Sequence, residues 1–179
     1  MGYYEQALAI DREIGDRRGE GADLGNMGLA YAALGEARKA IGYYEQQLVI
    51  VREIGDRQGA CAALGNMAVA WRQLGEPQKA LACHREALRL ALEAQDPLRT
   101  VQLAWQLAPV YEDLGDLPRA VALAAFAASR FKDMQYPQAQ SAMADLARYQ
   151  KTMGKAPFTK ALQAAEATLQ QIFSEILKG

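Results

Sequence analysis

GYYEQALAIDREIGDRRG, residues 2–19, returns forty positions later as GYYEQQLVIVREIGDRQG, residues 42–59, with 14 of the 18 positions identical. A self-similar period of this length is the signature of stacked supersecondary units, none of which buries its apolar face without a neighbour. The period runs on in Leu34-Gly35-Glu36, Leu74-Gly75-Glu76 and Leu114-Gly115-Asp116, and more weakly in Met153-Gly154-Lys155. Between these turns stand Gly15-Asp16-Arg17, Gly55-Asp56-Arg57 and the degraded Gln95-Asp96-Pro97, so each unit carries two breakers and reads as a pair of helices.

The punctuation places the helices. Asp16, Asp56 and Asp96 follow one helix and are positioned to cap the next, and Pro97 falls in a first turn, where its missing N–H costs nothing. Gly15, Gly35, Gly55, Gly75 and Gly115 sit where helices end in a left-handed residue. First helices are expected over 17–34, 57–74, 97–114 and 137–153, and second helices over 37–54, 77–94, 117–134 and 157–178. Residues 2–14 form a half repeat ahead of them. The reading is one all-α domain over 1–179: a half repeat, repeats at 17–54, 57–94 and 97–134, and a degenerate repeat at 137–178 ending in a capping helix. Pro109 withholds an N–H from the Trp105 carbonyl inside its helix, which predicts a kink.

Composition narrows the class. Hydrophobic residues make up 51% of the 179 positions, enough for a continuous core, and the formal net charge is -1. No basic run marks a nucleic-acid surface. The longest apolar run, Val121 to Ala128, is far short of the roughly 20 residues that span a bilayer, and the N-terminal residues have neither the basic nor the apolar segment of a secretory signal. The expectation is a cytoplasmic protein without nucleic-acid or membrane partners. Cys61 and Cys83 read as reduced small hydrophobes. The single histidine, His84, follows Cys83 directly, and adjacent helical positions point about 100° apart, so no metal site is indicated.

Leu24, Met27, Gly28, Tyr31 and Leu34 recur at spacings of three or four, as do Leu64, Met67, Ala68, Trp71 and Leu74; this is a packing face. The second helices answer with Ala40, Tyr44 and Leu48, then Ala80, His84 and Leu88. This order of small residue, aromatic, glycine turn and alanine resembles the tetratricopeptide repeat, here in longer helices than its usual unit of about 34 residues. Asp23-Leu24-Gly25-Asn26-Met27-Gly28, Ala63-Leu64-Gly65-Asn66-Met67-Ala68 and Glu53-Ile54-Gly55-Asp56-Arg57 are similar to the forty-residue subtype of spindle-orientation adaptors, kinesin light chains and bacterial regulators. The resemblance implies a right-handed α-solenoid, a superhelix of antiparallel helix pairs that binds a protein or peptide on the concave wall of its first helices.

It also implies that asparagine at the places of Asn26 and Asn66 hydrogen-bonds the ligand backbone. An amide offers both donor and acceptor and so matches a peptide group whatever the ligand sequence; capping a loop or meeting water is the alternative role. Gln106 and Asp145 stand at the equivalent places in the third and fourth units. Leu29 and Val69 would add apolar surface, and Arg72, Gln73 and Gln102 would tune selectivity. Ala22, Gly25, Leu29 and Ala33 are assigned to that same face. Glycine inside a helix costs roughly 0.8–1 kcal/mol against alanine, so Gly25 and Gly65 answer either to close approach by a ligand or to tight helix packing. Trp105, in the third unit at the place of Gly25 and Gly65, is either an aromatic anchor for the partner or a plug of the core.

The last helix shows Phe158, Leu162, Ala165, Leu169, Ile172, Phe173 and Ile176 on one face, as a solenoid cap does. Residues 2–14 lack a first helix, leaving Tyr3, Tyr4, Leu8 and Ile14 without their expected neighbours. Either the chain belongs to a longer array, or a second copy covers this end in a homodimer. No nucleophile stands beside a base and no phosphate loop follows a strand, so the chain is read as non-enzymatic and without cofactor. A sensory segment of a larger multidomain regulator is the alternative to a free-standing adaptor.

Overall fold

A computed structural model describes residues 2–178 and is all-α, with ten helices and no strand among the described residues. In chain order these are α1 (Gly2–Ile14), α2 (Arg17–Ala33), α3 (Ala37–Glu53), α4 (Arg57–Gln73), α5 (Pro77–Glu93), α6 (Pro97–Asp113), α7 (Leu117–Asp133), α8 (Ala139–Met153), α9 (Lys155–Gln163) and α10 (Ala165–Lys178).

The turns repeat one chemical solution. A residue with positive φ ends the helix, a glycine at Gly15, Gly35, Gly55, Gly75 and Gly115, because only glycine enters that region without a Cβ penalty. The next N–H then reaches back across the turn, as from Asp16 to the Asp11 carbonyl (2.8 Å) and from Glu36 to that of Tyr31 (2.9 Å). Side-chain caps follow. Asp16 accepts from the N–H groups of Arg18 and Gly19, Asp56 from Gly59, Asp96 from Arg99, and Asp116 from Arg119, each worth about 1 kcal/mol. Gln95 (φ 52°) and Gln135 (φ 53°) make the same turn without glycine.

Packing divides the chain into two compact units, one ending at Leu90 and the other beginning at Ala91. In the first, α2 packs against α1 and α3, and α3 against α4. Leu8, Leu24, Met27 and Ile50 form a buried cluster, so Leu8 of α1 is covered rather than stranded. Gly28 is required at its place, since a Cβ there would overlap the Tyr44 ring. In the second unit α7 is the hub, packed against α6, α8, α9 and α10. Val121 to Ala124 are fully buried on it, which accounts for the longest apolar run. Among the described residues no helix is long and apolar enough to cross a membrane.

Four expectations need correction or comment. The capping helix expected over 157–178 begins at Lys155 and is two helices, broken at Ala164. The Ala164 N–H still bonds the Lys160 carbonyl (3.1 Å) and its own carbonyl accepts from Thr168 (3.0 Å), so the break is one residue deep. It lets α9 and α10 each follow α7, with Phe158, Ala161, Ala165, Ile172 and Ile176 buried and Leu162 exposed. Leu34 is the residue that closes α2 and is 64% exposed, off the packing face, because its side chain lies beyond the last full turn. The expected start at 137 moves to Ala139. At Pro109, α6 stays helical through to Asp113.

Candidate functional site

α2 and α4 touch each other, with α3 packed against both. They leave uncovered a stripe at spacings of four, three and four. On α2 it is Ala22, Asn26, Leu29 and Ala33, all exposed; on α4 it is Ala62 and Asn66, half-buried, then Val69 and Gln73, exposed. Leu29 and Val69 keep 50% and 44% of their surface in solvent, an apolar pair on a wall otherwise made of alanine and amides. Neither the Asn26 nor the Asn66 amide is hydrogen-bonded to another described residue. Arg72, exposed in the last turn of α4, lies beside this stripe.

Gly25 does not belong to the stripe. It is buried, and a Cβ there would collide with the side-chain amide of Gln47 on α3. The glycine thus faces α3 and the end of the Gln47 side chain, away from the open stripe. A salt-bridge network further holds α2: Glu20, almost fully buried, accepts from Arg12 Nε (2.8 Å) and Arg17 Nη1 (2.5 Å), and Arg17 also pairs with Glu53. The Arg12 hydrogen bond leads the effects holding the Glu20 carboxyl below its ordinary range.

Sequence reasoning missed Glu20, and it missed a periodic pair of which the aromatic half was visible. Lys39 lies 5.2 Å from the Tyr31 ring, Lys79 lies 4.4 Å from Trp71, and Arg119 lies 5.5 Å from Tyr111. The cation eight residues after the aromatic was the available signal. Each such pair clamps the Gly turn between first and second helix for about 0.5–1 kcal/mol.

Behind α4 the first unit buries His84 at 1% exposure, its Nδ1 without a hydrogen-bond partner among the described residues. Burial, with a smaller contribution from Arg72, pushes its pKa down to about 4. The half-buried Cys83 thiol is pushed up to about 11, first by burial and then by Glu86.

The remaining candidates stand in the second unit, on α6. Gln106 is exposed. Gln102 Nε2 donates to the Tyr136 hydroxyl (2.9 Å), and Trp105 Nε1 donates to Asp145 Oδ2 (2.8 Å). The Trp105 ring meets Phe131 edge-on at 5.7 Å and packs on the cluster of Val101, Ala127, Ala128 and Ala142. Asp145 thus stands at the fourth place of the amide column and accepts from an indole; a carboxylate offers acceptors only, which suits that donor.

Comparison with known proteins places these elements in context. Residues 22–93 match the sequence model of the tetratricopeptide repeat. Among curated proteins none matches the chain by sequence. Among solved structures, BtubC from P. vanneervenii is similar over 97% of this chain and 70% of its own, with 21% identity and a TM-score of 0.75. The tetratricopeptide-like repeats of a putative kinesin light chain from Podosopora anserina align over 94% of this chain and 84% of theirs, with 18% identity and a TM-score of 0.69. A signal-transduction ATPase of Pyrococcus horikoshii with a tetratricopeptide repeat sensor aligns over 97% of this chain but 28% of its own, with 22% identity and a TM-score of 0.74. These likenesses establish the all-α helix-pair fold.

Proposed function

We propose that the exposed stripe of α2 and α4 binds a peptide segment of another protein, since residues 22–93 match the tetratricopeptide repeat, a fold that serves in general as a protein-interaction module. Asn26 and Asn66 hold the ligand backbone, Leu29 and Val69 receive an apolar side chain, and Arg72 and Gln73 select among flanking residues. On α6 of the second unit Gln102 and Trp105 are engaged by Tyr136 and Asp145 and Gln106 is exposed, and none of the three is assigned to this stripe.

The observation that carries this reading is the pair of uncommitted amides beside two exposed aliphatic side chains, on helices held from behind by α3, with the Tyr44 ring seated on Gly28. A wall already ordered loses little entropy when a ligand arrives. The role is binding without chemistry. His84 is buried and neutral and the Cys83 thiol is raised to about 11, so neither is a poised base or nucleophile at neutral pH.

The test uses a peptide selected on the intact protein from a random display library. Asn26→Ala with Asn66→Ala removes two hydrogen bonds worth about 1 kcal/mol each, so affinity should fall by at least about 10-fold with the melting temperature unchanged. Unchanged affinity removes the amides from the account.

A further inference from the structure

The second unit contains a cavity of about 430 Å³, formed where the end of α5, the start of α6, α7 and α10 meet. Its walls include Leu92, Val101, Phe126, Met134 and Phe173, with Arg130 at the rim. Pockets of roughly 300 to 1,000 Å³ with apolar walls and few polar groups are the usual form of small-molecule sites.

Repeat register shows that this pocket departs from the pattern. Forty residues before Leu92 and Phe126 stand Arg52 and Glu86, an ion pair at 2.5 Å in the first unit. The second unit has an aliphatic and an aromatic side chain in their place, and adds Phe173 from α10, which packs edge-on against Phe126 at 5.6 Å. An exposed ion pair is worth at most about 1 kcal/mol, so its loss costs the fold little. Its replacement by an open apolar recess is what calls for an occupant.

The charge at the rim selects the kind. The Arg130 side chain is 57% exposed, its guanidinium lies 5.8 Å from the Phe126 ring, and Asp133 stands at 3.9 Å, the outer limit of an ion pair. The acid among the lining residues, Asp96, is engaged in capping α6 through the Arg99 N–H at 2.9 Å. Arg130 is therefore able to take a carboxylate in a charge-assisted pair while the apolar remainder of the ligand lies on Phe126, Phe173 and Val101.

We propose that this pocket binds a hydrophobic monocarboxylate, such as a medium-chain fatty acid. The site is independent of the peptide stripe in residues, ligand and compact unit.

The experiment titrates the ¹⁵N-labelled full chain with decanoate below its micellar concentration, and in parallel with 1-decanol. Decanoate should give saturable shifts at Thr100, Val101, Arg130 and Phe173. Arg130→Gln should weaken decanoate about 10-fold and leave 1-decanol unchanged. Leu92→Arg with Phe126→Glu, which installs the pair seen at Arg52 and Glu86, should abolish binding of both at an unchanged melting temperature. If that double variant fails to fold, Arg130→Gln decides the question alone. Absence of saturable shifts at these residues, or an equal effect of Arg130→Gln on acid and alcohol, overturns the proposal.

Discussion

α2 and α6 are first helices two repeats apart, and their polar side chains are engaged to different degrees. On α2 and its neighbour α4, Asn26 and Asn66 are uncommitted and Leu29 and Val69 are exposed. On α6, Gln102 and Trp105 are bound to Tyr136 and Asp145, while Gln106, at the place of Asn26, is exposed. The difference follows from what stands next to each. In the first unit the Tyr44 ring on Gly28 and the ion pairs of Arg12, Arg17, Glu20 and Glu53 hold the helices and involve neither Asn26 nor Asn66. Where the fourth unit lacks the aromatic of Tyr31 and Trp71, α8 is held by hydrogen bonds that consume those side chains of α6.

Acid should separate the two units by the largest margin. Each buries two polar side-chain atoms that make no hydrogen bond of good geometry among the described residues, Gln47 Oε1 and His84 Nδ1 in the first and Gln138 Oε1 and the Tyr149 hydroxyl in the second. Only the histidine titrates in a mildly acidic range, since burial pushes Tyr149 up to about 12. The unfolded chain binds a proton at His84 near its ordinary 6.5 and the folded chain only near 4. The unfolded state therefore holds more protons in this window, and stability is lost as pH falls from 6.5 to about 4. The shift corresponds to of the order of 3 kcal/mol. Trp71 reports on the first unit and Trp105 on the second, so single-tryptophan variants should show the first unit melting earlier as pH drops. His84→Leu should flatten that dependence, and a dependence that survives the substitution places its origin elsewhere.

A smaller effect distinguishes the two tryptophan environments from the stripe. Trp105→Ala removes an aromatic packed on Phe131 and leaves Asp145 without its indole donor, which should cost about 2 kcal/mol in denaturant unfolding. Asp145→Ala should cost about 1 kcal/mol, and Asp145→Asn less, because an amide oxygen still accepts. At the bottom of the scale, Leu29→Ser should change stability by less than about 0.5 kcal/mol while weakening the selected peptide. A large loss of stability at Leu29 would mean that the stripe is structural.

How much of this the chain discloses depends on whether the signal is local. The duplicated GYYEQ segment, the glycine turns and the aspartate caps are short-range chemistry, and they locate helices to within a residue or two up to Asp133. The turn at Gln135 carries no glycine, so the start of α8 is misplaced; the break at Ala164 has neither glycine nor proline and is set by packing on α7. Gly25 is the instructive residue. Its position in the helix is legible, but that Gln47 fills the space beside it depends on how two helices dock, which periodicity does not specify. The same holds for Trp105, whose partner Asp145 lies forty residues away, and for the pocket of Leu92 and Phe126, which needs α10 in place. Asn26 and Asn66 are singled out by the resemblance to the forty-residue subtype and Leu29 and Val69 by helical spacing, which also places the buried Gly25 on that face.

The most direct measurement is chemical-shift mapping of the labelled protein against the display-selected peptide, reading side-chain amides and methyls. The account predicts shifts at the Asn26 and Asn66 side-chain amides and the Leu29 and Val69 methyls, with Gln47 and the α3 core unaffected. Shifts confined to α3, with both asparagine amides silent, would contradict it.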